Sequence, residues 1–172
     1  LFCCIRGEKF DGHDFAAAAV ERGAVALLVQ HEISNIPVSI PQIIVEDPRA
    51  CVGFAATELY GNPSRHLSLV GITGTNGKTT TAHLLASIMK ASGMQTEVIG
   101  TLSGSFTTPE APDLQRSFSE MVAHGTRAVA MEVSSHALAL GRVNGTRFAA
   151  SVFTNLGRDH LDFHGSEENY FQ

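Results

Sequence analysis

The chain has 172 residues, 44% of them hydrophobic and 17% charged, a composition that builds a packed core. Twelve Lys and Arg against 17 Asp and Glu leave a net charge of −5, which argues against a protein that coats nucleic acid or an anionic membrane. The apolar stretches 16–20 and 24–29 are far shorter than the ~20 residues of a spanning helix, and no signal-peptide pattern opens the chain. Cys3, Cys4 and Cys51 have no CxxC spacing, so free thiols in a reducing, cytoplasmic compartment are expected.

In chain order, Asp14 is placed to cap a helix through Arg22, with Phe15, Ala18, Ala19 and Arg22 at helical spacing and Gly23 as the stop. Residues 25–29 read as a buried strand, and after a loop with Pro37 and Pro41 residues 43–45 read as another. Asp47-Pro48 opens a second helix that carries Val52, Ala55, Ala56 and Leu59 and stops at Gly61-Asn62-Pro63. A polar turn, residues 63–66, then separates this block from one with more regular alternation. There the pattern predicts strands at 67–72, 96–101, 127–133 and 148–154, with helices over 78–91 and 112–124. Strands alternating with helices predict an α/β fold with parallel sheets, as a small domain over residues 1–65 and a second over 66–172.

Gly71-Ile72-Thr73-Gly74-Thr75-Asn76-Gly77-Lys78-Thr79-Thr80 lies between a strand and a helix, the context of a phosphate-binding loop. Glycines let backbone amides converge on an anion, and the helix N-terminus adds its positive dipole end. Lys78 supplies a point charge for β- and γ-phosphates, and the Thr79 hydroxyl can join a Mg²⁺ shell. Ile72 stands where the full pattern has its first glycine, so only the half Gly-x-x-Gly-Lys-Thr matches.

Downstream, the strand Ala128-Val129-Ala130-Met131 ends in Glu132, beyond a strand's carboxyl end, where open parallel sheets bind ligands. That places Glu132 to hold Mg²⁺ directly or through water, against a plainer role as helix cap or ion-pair partner. Ser134-Ser135-His136 lacks a nucleophile elbow and reads as a substrate hydrogen-bonding segment or a helix start. Residues 155–164 gather Asp159, His160, Asp162 and His164, and His160 can ligate a metal or orient a carboxylate; the plainer alternative is a polar surface loop.

Four segments in this order closely resemble the Mur ligases of peptidoglycan synthesis: residues 73–80, Thr107-Thr108-Pro109-Glu110, residues 132–138, and residues 153–165. Residues 1–24 resemble that family's N-terminal domain, so the resemblance covers essentially the whole chain. It implies a P-loop-type ATPase domain after a UDP-sugar-binding domain. The implied activity is an ATP-dependent amide ligase adding a diamino acid, diaminopimelate or lysine, to UDP-MurNAc-L-Ala-D-Glu through an acyl phosphate. ATP and Mg²⁺ are the implied cofactors, in the bacterial cytoplasm, for a monomer with no nucleic-acid or membrane partner.

Carried over position by position, Gly74, Thr75, Asn76, Gly77, Lys78, Thr79, Thr80 and Asn155 would bind nucleotide. Thr79, Glu132 and His160 would hold metal, with Lys78, Glu132 and His160 as the catalytic set. Thr107, Thr108, Ser134 and Arg142 would contact the muramoyl-dipeptide, and Glu8, Lys9 and Phe10 the uracil. Leu140 stands where some members carry Gln. The family's opening Asp-Ser-Arg segment is expected before Leu1, and its carbamylated lysine and C-terminal domain after Gln172, so this stretch alone is expected to lack ligase activity. The rival readings are a folate-extending glutamate ligase and a non-catalytic nucleotide-binding module.

Overall fold

All named strands pair in parallel in the computed structural model, which describes residues 1–7, 9–103 and 106–171. Contacts divide the chain into two units, Leu1–Val52 and Gly53–Gln172. In the first, β1 (Phe2–Cys3), β2 (Leu27–Val29) and β3 (Gln42–Ile44) form a sheet in the order β1-β2-β3. Cys4, Ala16, Leu27, Val29 and Ile36 form its core.

The helix expected from Asp14 begins differently. A 3-10 turn over Gly12–Phe15 precedes α1 (Ala16–Glu21), and Asp11 rather than Asp14 caps it. The Asp11 carboxylate accepts from the His13 amide at 2.9 Å and meets the His13 Nδ1 at 2.6 Å. The ring's Nε2 accepts from the Gln30 amide at 3.0 Å, so His13 ties the turn to the end of β2. Gly12 permits this close approach, because a Cβ there would lie 2.6 Å from the Ile5 nitrogen.

Helix α2 (Pro48–Leu59) follows, and the Asp47 carboxylate accepts from the Arg49 and Ala50 amides at its start. The units divide within this helix, upstream of the polar turn where the sequence places the boundary. The reason lies in its C-terminal half. A Cβ on Gly53 would lie 2.6 Å from the Asn144 carbonyl, and the Tyr60 hydroxyl accepts from Arg116 Nε at 3.1 Å. That half of the helix therefore packs with the second block.

In the second unit, β4 (Ser68–Thr73), β5 (Thr96–Ile99), β6 (Ala128–Glu132) and β7 (Ala150–Phe153) are ordered β5-β6-β4-β7. Period-two alternation divides their side chains between two faces. Val70, Ile72 and Ala130 meet Ala82 and Ala86 of α3 (Lys78–Ala91) on one face. Leu69, Val129 and Met131 meet Leu114 and Phe118 of α4 (Ala111–Ala123) on the other. All five residues of β6 are buried, the apolar run Ala128-Val129-Ala130-Met131 and Glu132 at its end. Gly71 leaves room for the Phe148 ring, 2.8 Å from where a Cβ would stand. Short helix α5 (Ser135–Ala139) takes up the helix start read at Ser134, and α6 (Leu161–His164) and α7 (Glu167–Phe171) occupy stretches that the sequence pattern leaves as polar segments. Among the described residues no helix is long and apolar enough to cross a membrane.

Cys4 is fully buried, and burial, with Cys3 and Asp11 nearby, pushes its thiol up to about 11. A native sample at pH 8 is therefore expected to leave Cys4 unlabelled by a thiol-specific disulfide reagent until denaturant is added. Mass-spectrometric mapping checks this; labelling of native Cys4 at the rate of the denatured chain contradicts it.

Candidate active site

Strand β4 runs into a loop turned by Gly74 (φ +126°) and Gly77 (φ +87°), conformations that side-chain-bearing residues rarely adopt. Helix α3 starts at once, and the Thr81 amide donates to the Gly77 carbonyl at 2.9 Å. The amides of Lys78, Thr79 and Thr80 precede that bond in the first turn, where helical geometry offers them no partner. The dipole's positive end is thus aimed at the loop's concave side.

The chain after β7 fastens this loop from behind. Asn155 accepts from the Asn76 amide at 3.1 Å and donates to the Asn76 carbonyl at 2.9 Å. Its own carbonyl accepts from the Thr75 amide at 2.9 Å. The Thr154 hydroxyl reaches the Asn76 carbonyl at 2.7 Å and the Thr73 carbonyl at 3.1 Å. The Thr75 hydroxyl accepts from the Gly157 amide at 2.8 Å and bonds the Tyr170 hydroxyl at 2.9 Å. Lys78 Nζ folds over the loop and donates to the carbonyls of Gly74 (2.6 Å) and Thr75 (3.0 Å).

Opposite stands Glu132, at the end of β6 beside β4, with 1% of its surface exposed. Its carboxylate accepts from the Thr79 hydroxyl at 2.9 Å, the Thr101 amide at 3.0 Å and the Thr101 hydroxyl at 3.3 Å. Gly100 makes this possible, since a Cβ there would run into the carboxylate. Among the described residues no Lys, Arg or His pairs with it. A buried carboxylate served only by neutral donors suits a cation brought by a ligand. Thr79 and Glu132 are the cleft residues that could hold Mg²⁺, an ion that takes one or two carboxylates and completes its shell with phosphates and water.

Lys78, Thr79 and Glu132 line one cleft of about 550 Å³ together with Thr75, Asn76, Gly77, Thr107, Thr108, Ser134, Arg142 and His160. Three sequence-selected residues of the second unit lie off this lining. Gly74 turns its carbonyl to Lys78, Thr80 is exposed on the first turn of α3, and Asn155 sits behind the loop. Lys9 and Phe10 are exposed in the first unit, and Glu8 lies outside the described residues.

Several hydroxyls have structural duties. Buried Thr108 donates to the Glu132 carbonyl at 3.0 Å and accepts from the Ser134 amide at 3.1 Å, and Ser134 caps α5 through the Ala137 amide at 3.2 Å. Ser135 meets His164 Nε2 at 3.0 Å. Arg142 pairs with Glu110 at 2.7 Å, donates to the Thr108 carbonyl at 3.1 Å and lies 5.2 Å from the Phe106 ring centroid. His160 (φ +52°) sets its ring edge-on to His136 at 4.6 Å. Burial, then the neighbouring His160 and His164, hold the His136 imidazole below its ordinary value. Sequence reasoning passed over Thr101, Thr154 and Tyr170. The strand-end rule that selects Glu132 also points to Thr101, just past β5.

Two family models match the chain: the Mur ligase middle domain over residues 72–172 and the Mur ligase family catalytic domain over residues 1–60. The UDP-N-acetylmuramoyl-L-alanyl-D-glutamate–2,6-diaminopimelate ligase of Geobacillus thermodenitrificans is 46% identical over 179 residues, covering 99% of this chain and 36% of that protein. The enzyme of the same name from Aquifex aeolicus is 46% identical over 180 residues, covering 99% and 37%. A solved structure of a ligase of that name superposes with a TM-score of 0.76 at 31% identity, over 92% of this chain and 34% of the other. The Thermotoga maritima MurF ligase in complex with ADP gives 0.67 at 26% identity, over 99% and 38%. The chain thus spans about a third of the length of the relatives it matches.

The loop's two glycines should differ in what they tolerate. At Gly74 a Cβ would run into Thr154 and lie 2.8 Å from the Asn155 carbonyl, whereas at Gly77 nothing lies within 4 Å. Gly74→Ala is expected to cost about 3 kcal/mol or more, and Gly77→Ala about 1 kcal/mol, the left-handed conformation alone. Urea unfolding of the two variants reads the difference; equal losses would contradict the fastening described above.

Proposed function

This chain belongs to the Mur ligase family, and from that premise we propose that it supplies the ATP-binding core of an amide ligase. The reaction joins 2,6-diaminopimelate, the amine in the relatives' names, to the D-glutamate carboxylate of UDP-MurNAc-L-Ala-D-Glu. The observation that carries this reading is the buried Glu132 carboxylate, without a cationic partner among the described residues, in one cleft with Lys78 and Thr79.

A carboxylate is a poor electrophile, and phosphorylation turns one of its oxygens into part of a leaving group. The substrate oxygen attacks the γ-phosphorus and ADP departs. The amine then attacks the acyl carbon, loses a proton, and phosphate leaves. The protein's share is positioning and charge neutralisation. Lys78, now on the carbonyls of Gly74 and Thr75, would turn to the β- and γ-phosphates, and the amides at the start of α3 would donate to them. Thr79 and Glu132 would hold Mg²⁺, with His160 on a second ion. Mg²⁺ bound there would withdraw charge from the phosphates. Arg142, held in direction by Glu110 and Thr108, offers a fixed cation to the muramoyl-dipeptide, beside Thr107, Thr108 and Ser134. In the first unit, Lys9 and Phe10 are the surface positions assigned to the uracil.

In the complete ligase, Lys78→Ala is expected to lower turnover at least ~100-fold, because it removes charge stabilisation from the transferring phosphoryl group. Near-normal steady-state turnover overturns the loop assignment. His160→Ala is expected to reduce metal-dependent acyl-phosphate formation, followed in a single-turnover assay, more than ATP binding by calorimetry. Equal losses remove His160 from the second-metal role.

A further inference from the structure

The end of the second unit remote from the cleft carries a charge pattern that the proposed ligase chemistry does not use. That unit has six arginines, and three are paired: Arg116 with Asp113, Arg142 with Glu110 and Arg158 with Glu167. The others, Arg65, Arg127 and Arg147, are exposed and have no carboxylate partner among the described residues. All three lie at one place. Arg65 precedes β4, Arg127 immediately precedes β6 and Arg147 lies shortly before β7, the three adjacent strands β6-β4-β7. The backbone fixes this row: the Ser68 amide donates to the Arg127 carbonyl at 2.8 Å, and the Arg147 amide to the Ser64 hydroxyl at 3.0 Å.

Two adjoining hollows, of about 440 and 150 Å³, run along the row and share Arg65, Leu67 and Ser68. Arg127 lines the larger, over Leu67 and Met94, and Arg147 the smaller, beside Ala149. Among the described residues no Asp or Glu lines either hollow, although the chain carries a net charge of −5.

We propose that this face is a docking surface for an acidic segment of another polypeptide, with side-chain carboxylates spaced along an extended backbone. The arginines lie just upstream of three adjacent strands, whose starts are set ~4.8 Å apart from strand to strand, so the cations are spread along that end of the sheet rather than gathered in a nest. A row suits several separate carboxylates, each gripped by a planar guanidinium. A compact phosphate cluster suits it less well.

Fluorescence anisotropy of a labelled hexaglutamate peptide with the 172-residue chain at about 50 mM salt tests this. Binding is expected, weakening as salt rises. The triple variant Arg65→Glu/Arg127→Glu/Arg147→Glu should lower affinity at least about tenfold. A control of equal charge change, Arg22→Glu/Arg116→Glu/Arg158→Glu, should leave affinity within about twofold. The neutral triple Arg65→Gln/Arg127→Gln/Arg147→Gln, checked for native circular dichroism, should follow the first variant in direction. Absence of binding overturns the proposal, as does equal weakening by the first variant and the control. Displacement of the peptide by inorganic tripolyphosphate at far lower concentration than by unlabelled hexaglutamate also overturns it, reassigning the row to phosphate.

Discussion

A carboxylate removed from water, with no cation beside it among the described residues, is the constraint on which the second unit's active face depends. Glu132 remains there because Thr79 and Thr101 surround it with donors and because residue 100 has no side chain. Each of these comes from a different strand end: Thr79 after β4, Gly100 and Thr101 after β5, Glu132 closing β6. The strand order β5-β6-β4-β7 places β6 between β5 and β4, so a single parallel pairing scheme assembles the whole set. Neutral donors hold the charge in place without cancelling it, which leaves a negative potential available to a bound cation.

The opposite wall works by the converse logic. At the head of α3 the backbone presents donors, and Lys78 lies on the loop's own carbonyls, with its positive charge already at the mouth. Two groups of opposite sign therefore face one cavity without forming a pair with each other. A triphosphate with its metal supplies both complements at once, and neither wall alone distinguishes that ligand from a simple anion or a simple cation.

Much of this was legible in the residues, and the parts that were not share a cause. Helix α3 is read to its ends because a loop glycine precedes Lys78 and Gly93 follows its last turn. Strand β6 is read from its unbroken apolar run, and Glu132 from its place at the end of it. Local polar geometry escaped. Asp11 wins the cap over Asp14 through a histidine contact that reaches β2, and α6 and α7 are too short to show a period. Thr108 and Ser134 look like ligand contacts in the sequence, but their hydroxyls also join the end of β6 to α5, a duty visible only once the chain is folded. The boundary between units follows the same rule. A polar turn marks a change of pattern, while contacts made by Gly53 and Tyr60 place the C-terminal half of α2 in the second unit.

The clasp between Asn155 and the loop has a consequence for how this region tolerates change. Asn155 grips residue 76 by its peptide group, on both the hydrogen and the oxygen side, and asks nothing of the side chain there. The clasp thereby sets no requirement on the side chain at position 76, proline excepted, whereas position 155 needs an amide at that reach. A one-residue insertion between Phe153 and Gly157 would shift the clasp out of step with the turn it secures. Length in that connector is therefore under a stricter constraint than the chemical identity of most of its neighbours.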